Sequence, residues 1–470
     1  MKKLKYLYCA VFFCICLVPF LGIFVGKSEE SAENRKLSEF PALKTEEGMN
    51  VNWLSEAGDY FQEHFAFRNE MVTANAVVNG KGLGVSTAGG VIQGTDGWLY
   101  YKDSLADYLG TEPMSERALF NLAHNLSMMQ EYLTSKGIQF LFTVAPNKNT
   151  LYDENMPYYD RVIVDEIHNL DRLKPYLEEE GVAYADLQAL FESEDEVLYH
   201  ERDSHWNNKG AALAGEYLMS QLGKEYDSYS DEEFEIRWDF EGDLDKMLYP
   251  LAMTPEKEIY YQREDSFTYV GEVGSNFDPK ITTVNPSCSG SLVMYRDSFG
   301  NALLPFMANA YGNAYFSRGV PYQLSDVDMN AADTVIAERA ERFLPEMSEA
   351  APVMETVPVP RNGEIAETAL DGAADVQMKS YGPRVQITGR VNGEYLDTRT
   401  EIYISLNGGE LYEAVPVCVE ADGAVDDGGF SLYLAADKIP SGENTVEVIT
   451  KDEESFEIIY QNILKEEQVQ

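Results

Sequence analysis

The sequence predicts an α/β protein built on a doubly wound sheet with helices on both faces, followed by a small β-sandwich. Two observations predict these parts. Apolar runs of strand length alternate with helical patterns between residues 49 and 345, and short runs of strand-like alternation follow residue 378. A third observation, an apolar N-terminus, adds a transmembrane helix to the prediction.

The N-terminal segment, residues 1–26, is predicted to be an uncleaved signal anchor. Lys2, Lys3 and Lys5 precede a stretch of about 20 uncharged residues, the length that crosses a bilayer. The lysines favour a cytoplasmic N-terminus, which places the folded part outside the cell. No small-x-small cleavage site follows the stretch, so an anchor is favoured over a cleaved signal peptide. The polar residues 27–48 are expected to form a tether.

The region 49–345 alternates between the two secondary-structure periods. Ser115 is placed to cap a helix that Gly137 ends, and the apolar strand 138–144 follows. Asn147 and Lys148 leave the carboxyl end of that strand, where open α/β sheets bind ligands. Further strands are expected at 182–187, 291–295 and 334–338, with helices at 165–179, from about Lys209, and at 301–311.

The C-terminal part has a different composition. Residues 346–378 are rich in Pro, Ala, Glu and Gly, which predicts a linker. Residues 379–462 contain period-2 runs separated in places by Asn-Gly and Gly-Gly turns, which predict the β-sandwich.

Composition excludes some classes of partner. The 470 residues carry a formal net charge of −44, from 36 basic and 80 acidic side chains, which argues against nucleic acid. Three of the five cysteines, Cys9, Cys14 and Cys16, lie in the N-terminal segment, so a disulfide framework is not expected.

Two short motifs carry residue types suited to nucleophilic catalysis. Asp203 stands two positions before His205, one of only five histidines, and Ser298 follows a buried strand where a helix begins. An exposed serine, an imidazole base and a carboxylate that orients the imidazole are the parts of a serine-type active site. Amide groups at the start of the following helix could stabilise an oxyanion.

Other interpretations of the same residues stay open at this point. Ser298 could simply cap its helix, and an Asp-x-His pair is more often a surface turn. A metal site made of His200, Asp203 and His205 is disfavoured, because no second ligand group stands at a suitable spacing. The glycine-rich residues 80–90 lack the Gly-Lys-Ser/Thr ending of a phosphate loop, so no cofactor is predicted.

The two motifs belong to a longer series of short motifs that resembles a known family. In chain order, the sequence contains Glu63-His64-Phe65-Ala66-Phe67-Arg68, Gly94-Thr95-Asp96-Gly97-Trp98-Leu99-Tyr100, Ala145-Pro146-Asn147-Lys148, Asp203-Ser204-His205-Trp206 and Asp297-Ser298-Phe299. This series resembles the SGNH-hydrolase-like proteins of the alginate O-acetyltransferase type, and most of all their Gram-positive branch named after a DHHW motif. The resemblance covers residues 50–345. The sequence departs from the motif at Ser204, where DHHW has a histidine.

The resemblance implies a triad of Ser298 as nucleophile, His205 as base and Asp203 as orienting carboxylate. It implies transfer of an acetyl group to hydroxyls of a cell-surface polysaccharide or exopolysaccharide through an acetyl-serine intermediate. It also implies a membrane-bound acyltransferase as donor partner. The predicted sandwich resembles the carbohydrate-binding modules attached to some relatives, which implies a carbohydrate-binding role for it.

Two rival functions are compatible with the same sequence. The first is a carbohydrate acetyl esterase, which differs only in using water as the acyl acceptor. The second is a non-catalytic glycan-binding or assembly protein that has kept the fold.

Overall fold

The computed structural model describes residues 2–22, 37–45, 48–81, 86–361, 365–367, 372–421, 423–440, 442–452 and 455–465. Parts of five predictions lie outside these ranges: Met1 and residues 23–26 of the predicted anchor, residues 27–36 and 46–47 of the tether, residues 82–85 of the glycine-rich stretch, residues 362–364 and 368–371 of the linker, and residues 422, 441 and 453–454 of the β-sandwich. The helices after residue 48 are Trp53–His64, Arg68–Ala76, Leu105–Tyr108, Glu116–Ser135, Lys148–Leu151, Asn169–Glu179, Leu187–Glu192, Asn208–Gln221, Asp243–Leu248, Gly300–Ala310, Ser325–Met329 and Leu344–Ser348.

A seven-stranded mixed sheet forms the centre of the α/β part. Its order is Tyr184–Ala185, Gln139–Ala145, Thr334–Ala340, Ser291–Tyr295, Asn313–Ser317, Lys280–Val284 and Thr268–Tyr269. The first five strands are parallel, and the last two are antiparallel to their neighbours. The carboxyl ends of the parallel strands therefore meet at one edge of the sheet, where α/β proteins place their sites.

Helices cover both faces of this sheet, as predicted. Successive strand residues point to opposite sides, and the side chains divide into two cores. Phe140 and Phe142 pack in the core that contains helices Glu116–Ser135 and Asn169–Glu179. Leu141 and Ala145 pack in the core that contains helices Asn208–Gln221 and Gly300–Ala310.

Residues 224–285, an acidic stretch that we call the acidic insertion, contain short strands and a helix. The antiparallel hairpin of Phe234–Phe240 and Glu256–Tyr261 flanks the short helix Asp243–Leu248. A smaller hairpin, Val91–Gln93 with Leu99–Tyr101, lies earlier in the chain. Its turn has positive φ at Asp96 (53°) and Gly97 (93°), residues that tolerate the left-handed region.

The C-terminal part is strand-rich. One sheet contains, in order, Pro358–Val359, Leu411–Glu413, Glu401–Leu406, Glu443–Asp452, Ser455–Lys465 and Ala366–Glu367. The other contains Ala374–Tyr381, Arg384–Val391, Ala424–Ala435 and Val415–Ala421. Apolar side chains of both sheets, such as Ile387 and Ile404, share one core. Two short strands and the start of a third lie within 346–378, the region predicted as a linker.

The N-terminal helix Lys2–Gly22 coincides with part of the predicted anchor. No helix in the described part of the chain is both long enough and apolar enough to cross a membrane. The predicted transmembrane helix is therefore not confirmed.

Candidate active site

Ser298 lies in a tight turn at the carboxyl edge of the central sheet. The buried strand Ser291–Tyr295 ends two residues before Asp297, and the helix Gly300–Ala310 begins two residues after Ser298. The buried Asp297 carboxylate accepts the Phe299 N–H (2.9 Å) and the Ala340 N–H (2.7 Å), which ties the turn to the neighbouring strand. The turn leaves the Ser298 side chain partly accessible.

The turn also needs the glycine at position 300. A Cβ added there would lie 2.7 Å from Cβ and Cδ of Arg296, closer than side-chain atoms approach. The glycine thus lets the helix start directly behind Ser298. Amides in the first turn of a helix have no acceptor within the helix. Among the described residues none accepts a hydrogen bond from the Ser298 N–H.

His205 connects Ser298 to Asp203. The His205 Nε2 lies 2.8 Å from Ser298 Oγ, and the His205 Nδ1 lies 2.7 Å from Asp203 Oδ1. Asp203 Oδ1 also accepts the His205 N–H (2.8 Å), and Asp203 Oδ2 accepts the backbone N–H of Asp243 (2.7 Å). The three residues predicted from sequence are therefore brought together in the geometry of a serine–histidine–aspartate triad, which we call the candidate triad.

Aromatic packing fixes the histidine ring. The Phe299 ring lies 4.8 Å from the His205 ring and 4.9 Å from Trp206, centroid to centroid. Trp206 is 1% exposed and packs in the core on this side of the sheet. The Asn207 side chain then caps the helix Asn208–Gln221 by accepting the Gly210 N–H (3.0 Å).

The electrostatics suit a carboxylate that orients a base. Burial favours a neutral Asp203, but His205, His200 and the Asp243 amide outweigh burial and hold the Asp203 pKa below its usual range. Burial lowers the pKa of His205, and the charges of Asp203 and Asp243 outweigh it, so the His205 pKa is raised. Asp203 thus stays ionised and His205 is a stronger base than a free imidazole.

Asp243 is a second carboxylate that sequence analysis missed. Its Oδ2 lies 3.6 Å from His205 Nδ1 and accepts the Ser204 hydroxyl (2.7 Å), while its Oδ1 accepts the Ser204 N–H (2.8 Å). Ser204, the departure from the DHHW motif, is therefore bonded to Asp243. Asp243 lies 38 positions after His205 in the acidic insertion, and only the tertiary structure brings it to the site.

Lys148 follows the strand Gln139–Ala145 at the sheet edge where the sequence predicts ligand binding. Its side chain hydrogen-bonds to the loop that contains Asp203. Its Nζ donates to the carbonyl oxygens of Glu201 (2.8 Å) and Asp203 (2.9 Å). Burial lowers the pKa of Lys148 to about 7, against the opposing effect of Glu256 and other nearby carboxylates. The neighbouring Asn147 is buried, and its side-chain amide has no hydrogen-bond partner within the described chain.

The alternative metal site of His200, Asp203 and His205 does not assemble. The His200 ring bonds to Glu258 (3.0 Å) and stacks on Phe240 at 3.7 Å. The ligand-type cluster at this place contains Asp203, His205 and Asp243 instead. Both ring nitrogens of His205 already contact candidate triad partners, so an ion there would displace the triad contacts.

Comparison with known proteins defines the class. Residues 91–272 match the family model of the SGNH hydrolase-like domain of the acetyltransferase AlgX. The match confirms the resemblance predicted from the motifs and includes Asp203 and His205, while Ser298 lies beyond its end. No curated protein sequence is significantly similar to this chain.

Several solved structures are distantly similar. PatB1 of Bacillus cereus has 18% identity and a TM-score of 0.43, covering 54% of this chain and 96% of PatB1. A DHHW family protein of Eubacterium siraeum has 16% identity and a TM-score of 0.42, covering 54% of this chain and 92% of that protein. The O-acetyltransferase domain of Pseudomonas putida AlgJ has 18% identity and a TM-score of 0.37, covering 55% and 92%. Similarities this distant carry no argument about activity.

Proposed function

We propose that this protein is an O-acetyltransferase that moves an acetyl group to hydroxyls of a cell-surface polysaccharide or exopolysaccharide through an acetyl-Ser298 intermediate. The observation that carries the proposal is the hydrogen-bonded series from Asp203 through His205 to Ser298 at the sheet edge. The match to the AlgX acetyltransferase model supports acetyl as the group transferred.

In the first half-reaction Ser298 is acetylated by the donor. Ser298 Oγ attacks the acetyl carbonyl of the donor while its proton passes to His205 Nε2, 2.8 Å away. Asp203 holds the proton on Nδ1 and stabilises the imidazolium. The Ser298 amide, which has no acceptor among the described residues, would stabilise the oxyanion, and one such donor contributes about 3–4 kcal/mol. The donor's leaving group then takes the proton from Nε2.

In the second half-reaction the acetyl group passes from Ser298 to the glycan. A glycan hydroxyl gives its proton to His205 Nε2, and its oxygen attacks the acetyl carbonyl on Ser298. The Ser298 oxygen leaves and recovers the proton, so the enzyme returns to its starting state. Water in place of the glycan hydroxyl would make the same site an esterase.

The test is Ser298→Ala in the purified protein. We expect turnover of a small activated acetate ester and transfer to an acceptor oligosaccharide to fall by at least about a thousandfold, because the nucleophile is lost. Ser287→Ala, on an exposed turn, is the matched control and should retain activity. Peptide mass spectrometry of wild type given donor without acceptor should find the acetyl group on Ser298.

Three outcomes separate the rival functions. Full activity in Ser298→Ala would refute the serine mechanism. Acetate as the only product with every glycan tried would identify an esterase. Glycan binding that survives Ser298→Ala and His205→Ala, with no turnover by wild type, would identify a binding protein.

The proposal includes a location outside the cytoplasm and a donor partner in the membrane. Its support is the sequence, where lysines precede an apolar stretch. Acetyl groups must cross the bilayer to reach an external enzyme, which requires a membrane-bound acyltransferase. Fractionation of cells with protease treatment tests the location, since external protein is digested in intact cells. Recovery in the membrane fraction or in the medium tells whether the N-terminal segment anchors the chain.

A further inference from the structure

A second cluster of ligand-type side chains lies outside the candidate triad. Asp107 belongs to the short helix Leu105–Tyr108, His168 precedes the helix Asn169–Glu179, and Glu341 follows the central strand Thr334–Ala340. One carboxylate oxygen of each acid and one ring nitrogen of the histidine all lie within 4.8 Å of one another. We call these three residues the Asp107 cluster.

Two oxygens of the Asp107 cluster are buried and have no hydrogen-bond donor among the described residues. Glu341 is 1% exposed, and its Oε2 accepts the Asn147 N–H (2.6 Å) and the Thr150 hydroxyl (2.7 Å). Its Oε1 is buried and unsatisfied, and it faces His168 Nδ1 at 3.8 Å. Asp107 uses Oδ1 to accept the Asn169 N–H (3.1 Å), while its Oδ2 is also buried and unsatisfied.

Either a shared proton or a bound cation would give these two oxygens a partner. The carboxyl groups of Asp107 and Glu341 are close enough to share one proton. A cation would instead satisfy both oxygens with both groups ionised, and would also use the histidine nitrogen. Burying two like charges is costly unless a positive charge lies between them.

We propose that Asp107, His168 and Glu341 bind one divalent transition-metal ion of the zinc or manganese type. Two carboxylate oxygens and one imidazole nitrogen are ligands that zinc accepts, with water completing the coordination. Calcium prefers six to eight oxygen ligands, which this set does not offer. An ion is favoured over a shared proton because it would neutralise both buried carboxylates at once, and His168 Nδ1, 3.8 Å from Glu341 Oε1, offers a third donor.

The ion would stabilise the carboxyl edge of the central sheet and would take no part in acetyl transfer. Glu341 holds the turn at Asn147 through its other oxygen. The next residue, Lys148, donates to the carbonyl of Asp203 in the candidate triad. The expected effect of metal is therefore on the stability of this edge.

The experiment measures metal binding and thermal unfolding of the purified full-length chain. After removal of metals with a chelator, one equivalent of Zn²⁺ should raise Tm by about 5 °C, as a ligand that binds only the folded state does. Mn²⁺ should have a weaker effect and Ca²⁺ none. Elemental analysis of protein purified without chelator, and the visible absorption of a Co²⁺-loaded sample, report occupancy independently of activity.

Matched variants locate the ion. Asp107→Asn and Glu341→Gln keep the shapes of the side chains and should abolish the Zn²⁺-dependent rise. Asp243→Asn alters the other ligand-type cluster, at the candidate triad, and should leave the rise intact. If Glu341→Gln does not fold, the less buried Asp107→Asn decides alone.

Two results would overturn the proposal. The first is no bound metal and no metal-dependent Tm in wild type, with Asp107→Asn as stable as wild type, which is the behaviour of a shared proton. The second is a metal effect that Asp243→Asn abolishes and Asp107→Asn does not, which places the ion at the candidate triad. Either result leaves the proposed acetyltransferase activity untouched, because that activity is tested at Ser298.

Discussion

At the scale of single residues, His205 lies between the Ser298 hydroxyl and two carboxylates. Asp203 bonds directly to Nδ1, and Asp243 approaches the same nitrogen at 3.6 Å while it holds Ser204. Both negative charges favour the protonated imidazole, so they raise the His205 pKa. In the proposed mechanism His205 must be neutral to accept the Ser298 proton. The acid limb of the pH–rate profile should therefore lie at higher pH than an unperturbed imidazole would give.

Asp243→Asn tests the second carboxylate. Asparagine keeps the backbone N–H to Asp203 and can still bond Ser204, so the substitution removes mainly a charge. The His205 pKa should fall, and the acid limb of kcat/KM should move to lower pH. The plateau should drop by less than about tenfold, because Asp203 still orients the ring.

Asp328→Asn is the control for this experiment. Asp328 is an exposed carboxylate paired with Lys136, and its loss changes the net charge equally. An acid limb in the same position for wild type and Asp243→Asn would show that Asp243 does not act on His205.

At the scale of elements, the helix Glu116–Ser135 joins the α/β part to the C-terminal sheets. Arg117 is 6% exposed and donates to the backbone carbonyls of Asp397 (2.6 Å), Thr400 (3.1 Å) and Asp427 (3.2 Å). Apolar side chains of the strand Val415–Ala421 enter the same core as this helix. The C-terminal sheets are therefore packed on the α/β part and not merely tethered to it.

Arg117→Met tests this attachment. The apolar replacement leaves several buried carbonyls without donors, each of which costs about 1–3 kcal/mol. We expect the free energy of unfolding to fall by about 2–3 kcal/mol in denaturant titration, with faster proteolytic separation of the two parts. Arg390→Met, which removes a half-exposed arginine from the C-terminal sheets, should change neither. Equal stability of Arg117→Met and wild type would contradict a structural role for this arginine.

At the scale of the whole molecule, a buried ionic group makes stability depend on pH. His124 lies between Glu180 of the α/β part (2.8 Å) and Glu413 of the C-terminal sheets (2.9 Å). Burial lowers its pKa, but the two carboxylates outweigh burial and raise the pKa to about 10. A raised folded-state pKa stabilises the protein fully below the unfolded value of about 6.5. This stabilisation is lost as pH rises from there through about 10.

His124→Gln tests the pH dependence. The variant should unfold several degrees below wild type at pH 6, and the difference should shrink steadily toward pH 10. Glu413→Gln removes one of the two carboxylates and should reproduce part of the effect. A difference in Tm that is constant across this pH range would show that the histidine is not charged in the folded protein.

The acidic composition shows how little the amino-acid counts alone determine about the whole molecule. A formal net charge of −44 argues against a nucleic-acid partner but says nothing about where the acidic side chains lie. The structure places Asp203, Asp243, Glu338 and Glu341 within or just behind the carboxyl edge of the sheet. Their effect on the site could not be read from the total charge.

The sequence by itself determined the α/β class, the strand-rich C-terminal part and the three members of the candidate triad. Each depends on a local pattern: a hydrophobic period, a strand end, or a short motif in a fixed order. The meeting of Ser298 and His205, 93 positions apart, was implied only by the family resemblance, and the structure places Ser298 Oγ 2.8 Å from His205 Nε2.

Only the tertiary structure decided the contacts between distant segments. Asp243 reaches His205 because an acidic insertion folds into a hairpin and helix, and the Asp107 cluster draws one residue from each of three elements. The predicted linker contains strands because short extended segments form a sheet when neighbouring strands offer them hydrogen bonds. Such contacts leave no periodic pattern in the sequence, since they depend on which distant segments the fold brings together.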